Sequence, residues 1–195
     1  MTETKPAAVR VEDMFARLAT LEDEVSSLRS QLHQVRTQLP ANQASLCLLS
    51  GDFERVLTTL MMAHMAVALE MEVSIFFAFW GVQAVKKSSR YRGKALLEKA
   101  TTAMLKRNIR GLPSEKFNFG GLGPKVFARL MKQKGIATPA DLMASSGEAQ
   151  IRLLACSTSL EVFGIAADEL LPGVACCGAA NFLESASRSK IALVL

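Results

Sequence analysis

A chain of 195 residues, half of them apolar, is long enough for one well-sized hydrophobic core plus an appendage. The net charge of +5 comes from 23 basic against 18 acidic residues. Without zinc-finger spacing or an RNP-like aromatic motif, this excess predicts a solvated basic face between Lys86 and Lys134 and no nucleic-acid partner. The 4 cysteines do not form a secreted disulfide framework, and residues 1–39 are charged and periodic without a cleavable leader, so a reducing, cytoplasmic location is expected.

Val11, Met14, Leu18, Leu21, Val25, Leu28, Leu32, Val35 and Leu39 follow one another at alternating spacings of three and four, a heptad pattern. With Val11, Leu18, Val25, Leu32 and Leu39 at a, the d positions are Met14, Leu21, Leu28 and Val35. Arg17 at g then faces Glu22 at e of an identical parallel strand, and Glu24 faces Arg29 likewise. Residues 1–40 are therefore expected to form a coiled-coil arm that makes a parallel homo-oligomer. Val at a with Leu at d favours two strands, whereas Leu32 at a with Val35 at d favours more, so dimer, trimer and tetramer stay open. The competing reading is an amphipathic helix packed on its own domain, which would not require the charge match. Pro40 ends the helix, because proline disfavours helical backbone in the residue before it.

Residues 41–195 read as one α/β domain. Ala44 to Leu49 is a short apolar strand, Ser50-Gly51-Asp52 a turn with Asp52 as a possible cap, and Phe53 to Met71 a helix rich in Ala, Met and Leu. Glu72 to Phe79, rich in Val, Ile and Phe, completes a βαβ unit. The apolar stretch from Val56 to Val85 is broken by His64, Glu70 and Glu72 and predicts no membrane span. An excursion from Lys86 to Gln150 follows. It holds a basic helix over Tyr91 to Lys106, a loop with Gly120, Gly121 and Gly123, a helix from Pro124 to about Lys134, and a short helix at Thr138 to Leu142. A mobile lid and an inert connection are both open readings of this excursion.

Arg152 to Cys156 is the third strand, with a helix from Thr158. A short strand near Gly173 to Cys177, a helix from Ala179 and a strand over Ile191 to Leu195 end the chain. The expected fold is a flavodoxin-like, mostly parallel five-stranded sheet with helices on both faces. Reactive groups of such folds gather beyond the carboxyl ends of the strands. That edge collects Ser50, Gly51, Asp52, Trp80, Cys156, Ser157 and Thr158, with Gly120 and Gly121 as candidate lid residues. Trp80 reads equally as a substrate wall or as a core aromatic.

Cys156 closes an apolar strand and opens a helix, where unpaired backbone N–H groups favour a thiolate over a thiol. Thr158 and Glu161 match the S/T-x-x-E spacing of a capping box, which would turn Glu161 back towards the cap. A buried cysteine that merely packs is the competing reading.

The order of Ser50-Gly51-Asp52, then Glu72-Val73-Ser74-Ile75-Phe76-Phe77-Ala78-Phe79-Trp80-Gly81, then Gly120-Gly121-Leu122-Gly123, then Ala155-Cys156-Ser157 through Ile165 resembles the DsrE/DsrF-like family. The likeness is to its DsrE2-type branch and covers about residues 44 to 195, leaving the coiled coil outside. The resemblance implies a soluble α/β oligomer, often trimeric or hexameric, that carries sulfane sulfur as a persulfide and passes it to partner thiols. It puts that role on Cys156 and gives Cys176 and Cys177 a secondary place, since only some members carry a cysteine there. Thr158 and Ser159 stand where a Met-rich stretch is common in the family, which changes the polarity of the expected pocket.

Two rivals remain. A thiol peroxidase would use Cys156 with Cys176 or Cys177 as resolving thiol, although no arginine and threonine constellation for peroxide is apparent. A non-catalytic scaffold would keep the coiled coil and use every cysteine for packing. No cofactor is expected, because neither GxxxxGK[ST] nor GxGxxG occurs. No metal is expected either, since His33 falls at a b position, His64 lies within a helix, and Cys176-Cys177 is poor zinc spacing.

Overall fold

The computed structural model describes residues 7–38, 40–89, 99, 108–114 and 122–195. Apart from Lys99, the helix expected over Tyr91 to Lys106 lies outside the described residues, as do Gly120 and Gly121. The chain divides into two compact units, Met1–Pro40 and Ala41–Leu195.

The first unit contains α1, Ala7–Gln38. Its Met14, Leu18, Leu21, Val25, Leu28 and Leu32 are all exposed. Arg17 pairs with Asp13 one turn earlier at 3.5 Å, an exposed contact of the kind that contributes little.

The second unit is an α/β sandwich. Its strands are β1 (Ala41–Leu48), β2 (Glu72–Phe77), β3 (Arg152–Cys156), β4 (Val174–Cys177) and β5 (Ser189–Val194). They lie in the order β4-β3-β2-β1-β5, and every pairing is parallel. The helices are α2 (Phe53–Ala68), α3 (Gly123–Gln133), α4 (Pro139–Ser145), α5 (Ser157–Phe163) and α6 (Ala179–Arg188). From β1 to β4 the chain steps in one direction across the sheet, then returns past β1 to place β5. Right-handed crossovers put the returning α6 on the opposite face, where it packs on β1 and β5.

Alternation along the strands separates the two faces. Leu46, Leu48, Val73, Ile75 and Phe77 point to the α2 side and meet Val56 and Leu60, all at most 2% exposed. Each such side chain contributes roughly 1.5–3 kcal/mol by leaving water. Cys47, Phe76, Ala78, Cys156 and Phe182 form a separate cluster on the α6 side. There Phe182 stacks on Phe76 with ring centroids 5.0 Å apart.

Several boundaries differ from the sequence reading. β1 starts at Ala41, directly after Pro40, because Ala41 already pairs with Ser189 of β5. β2 stops at Phe77 rather than Phe79: the Ala78 amide donates to the Leu48 carbonyl at 3.0 Å and the chain turns into a 3-10 helix, Phe79–Val85. Gly81 makes this turn possible, since a Cβ there would lie 2.1 Å from the Leu48 carbonyl oxygen. The helix expected at Thr138 to Leu142 is α4. Its Thr138 and Asp141 form a reciprocal capping box, and those hydrogen bonds, the Thr138 hydroxyl's first and its amide's second, hold the Asp141 carboxyl below its usual range.

Candidate functional site

The capping box expected from Thr158 and Glu161 is absent. α5 begins one residue earlier than the sequence suggested, so Cys156 itself occupies the N-cap and Thr158 lies within the first turn, where its hydroxyl has no cap geometry. Cys156 makes no side-chain cap hydrogen bond. Glu161 is exposed and lines a groove with Ser157, Leu160, Gly164 and Cys176, so it does not turn back to the cap. The seven-residue helix closes on Gly164 in the left-handed region (φ 60°), a conformation glycine adopts without steric cost.

Strand register places the four cysteines. Cys156 is the direct partner of Cys177 across β3 and β4. Neighbouring strands stand about 4.8 Å apart and partnered residues point to the same face, so these two side chains are adjacent. Cys176 is the partner of Ala155 and points the other way, into the groove beside α5. Two consecutive strand residues cannot share a face, so the adjacent cysteines are split between two environments.

Cys47 of β1 joins Cys156 and Cys177 on the α6 side, in the cluster around Phe76 and Phe182. Cys47 and Cys156 are buried, Cys177 is half-buried and Cys176 is exposed; all four are free. Burial pushes the Cys47 thiol up to about 11, and a negative charge on Cys156 adds to the effect. Burial also raises Cys177, followed by the charges of Cys156 and Cys176. Cys47 is a member of this cluster not singled out from the sequence. The available signal was its odd position in a strand whose even positions, Ala44, Leu46 and Leu48, carry the core.

The other strand ends converge in part. Ser50 and Asp52 are joined by a short hydrogen bond from the Ser50 hydroxyl to the Asp52 carboxylate, and the Asp52 amide donates back to Ser50 Oγ at 3.1 Å. Asp52 thus holds the N-cap position of α2 without a side-chain cap bond. Gly51 lies against the next strand end, because a Cβ there would meet the Trp80 carbonyl at 2.7 Å. Trp80 is neither a core residue nor free of packing: it is 42% exposed and rests on Phe163 of α5 with centroids 5.2 Å apart. Phe79 beside it is 61% exposed with φ 46°, and its amide donates to Ser159 Oγ at 2.9 Å. A left-handed bulky residue costs on the order of 1–3 kcal/mol, offset here by surrounding bonds that fix it.

Ser157 is half-buried and Thr158 exposed at the start of α5. His64 Nε2 donates to the Leu142 carbonyl at 3.0 Å on the α2 side, away from the cysteine cluster. Among the described residues no group of three or more His, Cys, Asp or Glu converges as a metal site. A cavity of about 940 Å³ lies between α3, α4 and the sheet, lined by Phe53, Leu112, Arg129 and Leu153 among others, and holds no cysteine. Cys47, Cys156 and Cys177 lie on the other face of the sheet.

A parallel five-stranded α/β sandwich with thiols at the carboxyl ends of its strands defines a broad class of protein. Residues 40–194 match the family model of the DsrE/DsrF/DrsH-like family, and the chain belongs to that family. It is 30% identical over 154 residues to the uncharacterized protein YrkE of Bacillus subtilis, covering 78% of this chain and 96% of that protein. It is also 28% identical over 149 residues to the sulfur carrier protein DsrE2 of Allochromatium vinosum, covering 74% and 92% respectively. Both matches fall short of the full chain. No helix among the described residues is long and apolar enough to cross a membrane.

Proposed function

We propose that this protein is a sulfur carrier that holds sulfane sulfur as a persulfide on Cys156 and hands it to thiols of partner proteins. The observation that carries the reading is the position of Cys156, at the end of β3 and the start of α5, in a chain whose family includes a sulfur carrier. Residues 41–195 would be the sulfur-handling domain and α1 a parallel coiled-coil arm. Support for the arm comes from the heptad pattern and from the exposed apolar stripe between Met14 and Leu32.

In loading, the Cys156 thiolate attacks the outer sulfur of a donor persulfide or polysulfide, and the donor's inner sulfur leaves as a thiolate. In unloading, an acceptor thiolate attacks the outer sulfur of Cys156–S–SH, and the Cys156 thiolate leaves. Neither step changes the total oxidation state, so neither calls for a cofactor.

The test is intact-mass spectrometry of the reduced protein after polysulfide treatment, wild type beside Cys156→Ser. A gain of one or more sulfur atoms that dithiothreitol reverses is the expected result in wild type, with peptide mapping placing the persulfide on Cys156, and a smaller gain is expected in the variant. Unmodified wild type overturns the reading. A gain of oxygen after peroxide, with no sulfur uptake, would favour a thiol peroxidase instead.

A further inference from the structure

We infer that Cys156 and Cys177 act as one two-thiol unit, in which outside thiols load and unload sulfur at Cys177 and Cys156 is the sheltered storage position. The inference rests on the sulfur-carrier reading above and adds a route to it. A carrier cysteine must meet a foreign thiol, yet Cys156 is only 7% exposed and packs among Phe76, Ala78 and Phe182. Its register partner Cys177 is half-buried, on the same face and nearer the edge of the sheet, since β4 is the outermost strand on that side.

The spacing of adjacent strands, about 4.8 Å, falls within the Cα separations of about 4.4–6.8 Å over which two cysteine sulfurs can reach bonding distance. The other thiols do not offer this route. Cys176 is exposed but faces the groove beside α5. Cys47 shares the face but lies on β1, with β2 between it and β3, and is as buried as Cys156.

The transfer balances without an oxidant. The Cys177 thiolate attacks the outer sulfur of a donor R–S–SH, forming Cys177–S–SH and releasing RS⁻. The Cys156 thiolate then attacks the outer sulfur of that persulfide, forming Cys156–S–SH and regenerating the Cys177 thiolate. Unloading reverses both steps. Two thiolates at this distance repel each other, and in the internal step the negative charge moves from one sulfur to the other, opposite to the transferred sulfur atom. Burial, followed by the charges of Cys156 and Cys176, pushes the Cys177 thiol up, so loading at Cys177 should quicken as pH rises.

The experiment follows persulfidation of the full chain by glutathione persulfide, trapped by alkylation over time and mapped by peptide mass spectrometry. Wild type, Cys156→Ser, Cys177→Ser, Cys177→Ala and Cys47→Ser are compared, with circular dichroism to verify each fold. Wild type should accumulate persulfide on Cys156. In Cys156→Ser it should remain on Cys177, and in both Cys177 variants Cys156 should load at least ten-fold more slowly, with Cys47→Ser unchanged. Loading of Cys156 at the wild-type rate in folded Cys177 variants overturns the relay while leaving the sulfur-carrier reading intact. Absence of persulfide on every cysteine of wild type overturns that reading and the relay with it. A second readout needs no sulfur donor: mild diamide oxidation should produce an intramolecular Cys156–Cys177 disulfide, mapped by a loss of two hydrogens. Its absence would show that the two sulfurs do not meet.

Discussion

The two faces of the sheet use alternate residues of the same strands and are covered unequally. On the α2 side, Leu46, Leu48, Ile75 and Phe77 are sealed by α2 and the elements around it. On the other side, α6 lies over β1 and β5, leaving β3 and β4 with only the edge of that cover. The sealed face carries aliphatic and aromatic residues, whereas the partly covered face carries three thiols and a serine cluster in which Ser45 Oγ lies 3.3 Å from Ser74 Oγ and 2.9 Å from Ser189 Oγ. Polar and reactive groups are tolerated where neighbouring side chains satisfy them and the surface is close. One face therefore holds the domain together, and the other admits thiol and hydroxyl groups.

The sharpest way to break this comparison is to cut into each face and compare the losses. Phe77→Ala, fully buried on the sealed face, should cost about 3–5 kcal/mol in urea denaturation, the range for a large aromatic removed from a closed core. A similar loss from any cysteine substitution would abolish the distinction. Next comes reactivity. With its thiol pushed up to about 11, Cys47 should carry about a hundred-fold less thiolate at pH 8 than an ordinary cysteine. Iodoacetamide labelling should thus leave Cys47 for last and modify exposed Cys176 early. The sign for stability follows from the same shift: the unfolded thiol ionises near its ordinary value and the folded one does not, so the stabilisation is complete below that value and is lost as pH rises towards 11.

Phe182→Ala, on the open face, should cost roughly 2–3 kcal/mol, below the closed-core range because neighbours and water can close the gap, and should speed Cys47 alkylation. Thr138→Ala removes the α4 cap and should cost about 1 kcal/mol at neutral pH. The wild-type advantage should shrink as acid titrates Asp141: its depressed carboxyl contributes above the ordinary carboxylate value and loses that contribution as pH falls through the folded one. The smallest stability effect is expected for Cys177→Ser, under about 1 kcal/mol for a half-buried, near-isosteric change.

The strands that build this comparison are legible in the sequence, although their alternation is not. Apolar runs at Ala44, Glu72 and Arg152 gave β1, β2 and β3 and their parallel arrangement, because buried parallel strands read as near-continuous hydrophobic segments. What failed was local geometry set by partners distant in sequence. Phe79 was assigned to β2, but the Leu48 and Leu49 carbonyls pull the chain out of the strand. Thr158 looked like a cap because its spacing to Glu161 fits, and a shift of one residue in the helix start removed that role. For the candidate site, Cys156 was singled out from its strand-to-helix position. Cys47 was passed over, since burial in an apolar run hides which face a residue takes. That Cys176 and Cys177 must diverge was implicit in strand periodicity; which of them meets Cys156 required the register.

The hydrogen bond from the Phe79 amide to Ser159 has a mechanical consequence. It joins the aromatic ledge of Phe79 and Trp80 to the first turn after Cys156, and the Trp80–Phe163 contact fastens the same ledge to the last turn of that helix. Ledge and helix are clamped at both ends. Whatever docks on the exposed rings therefore presses on the helix whose first residue follows the thiol.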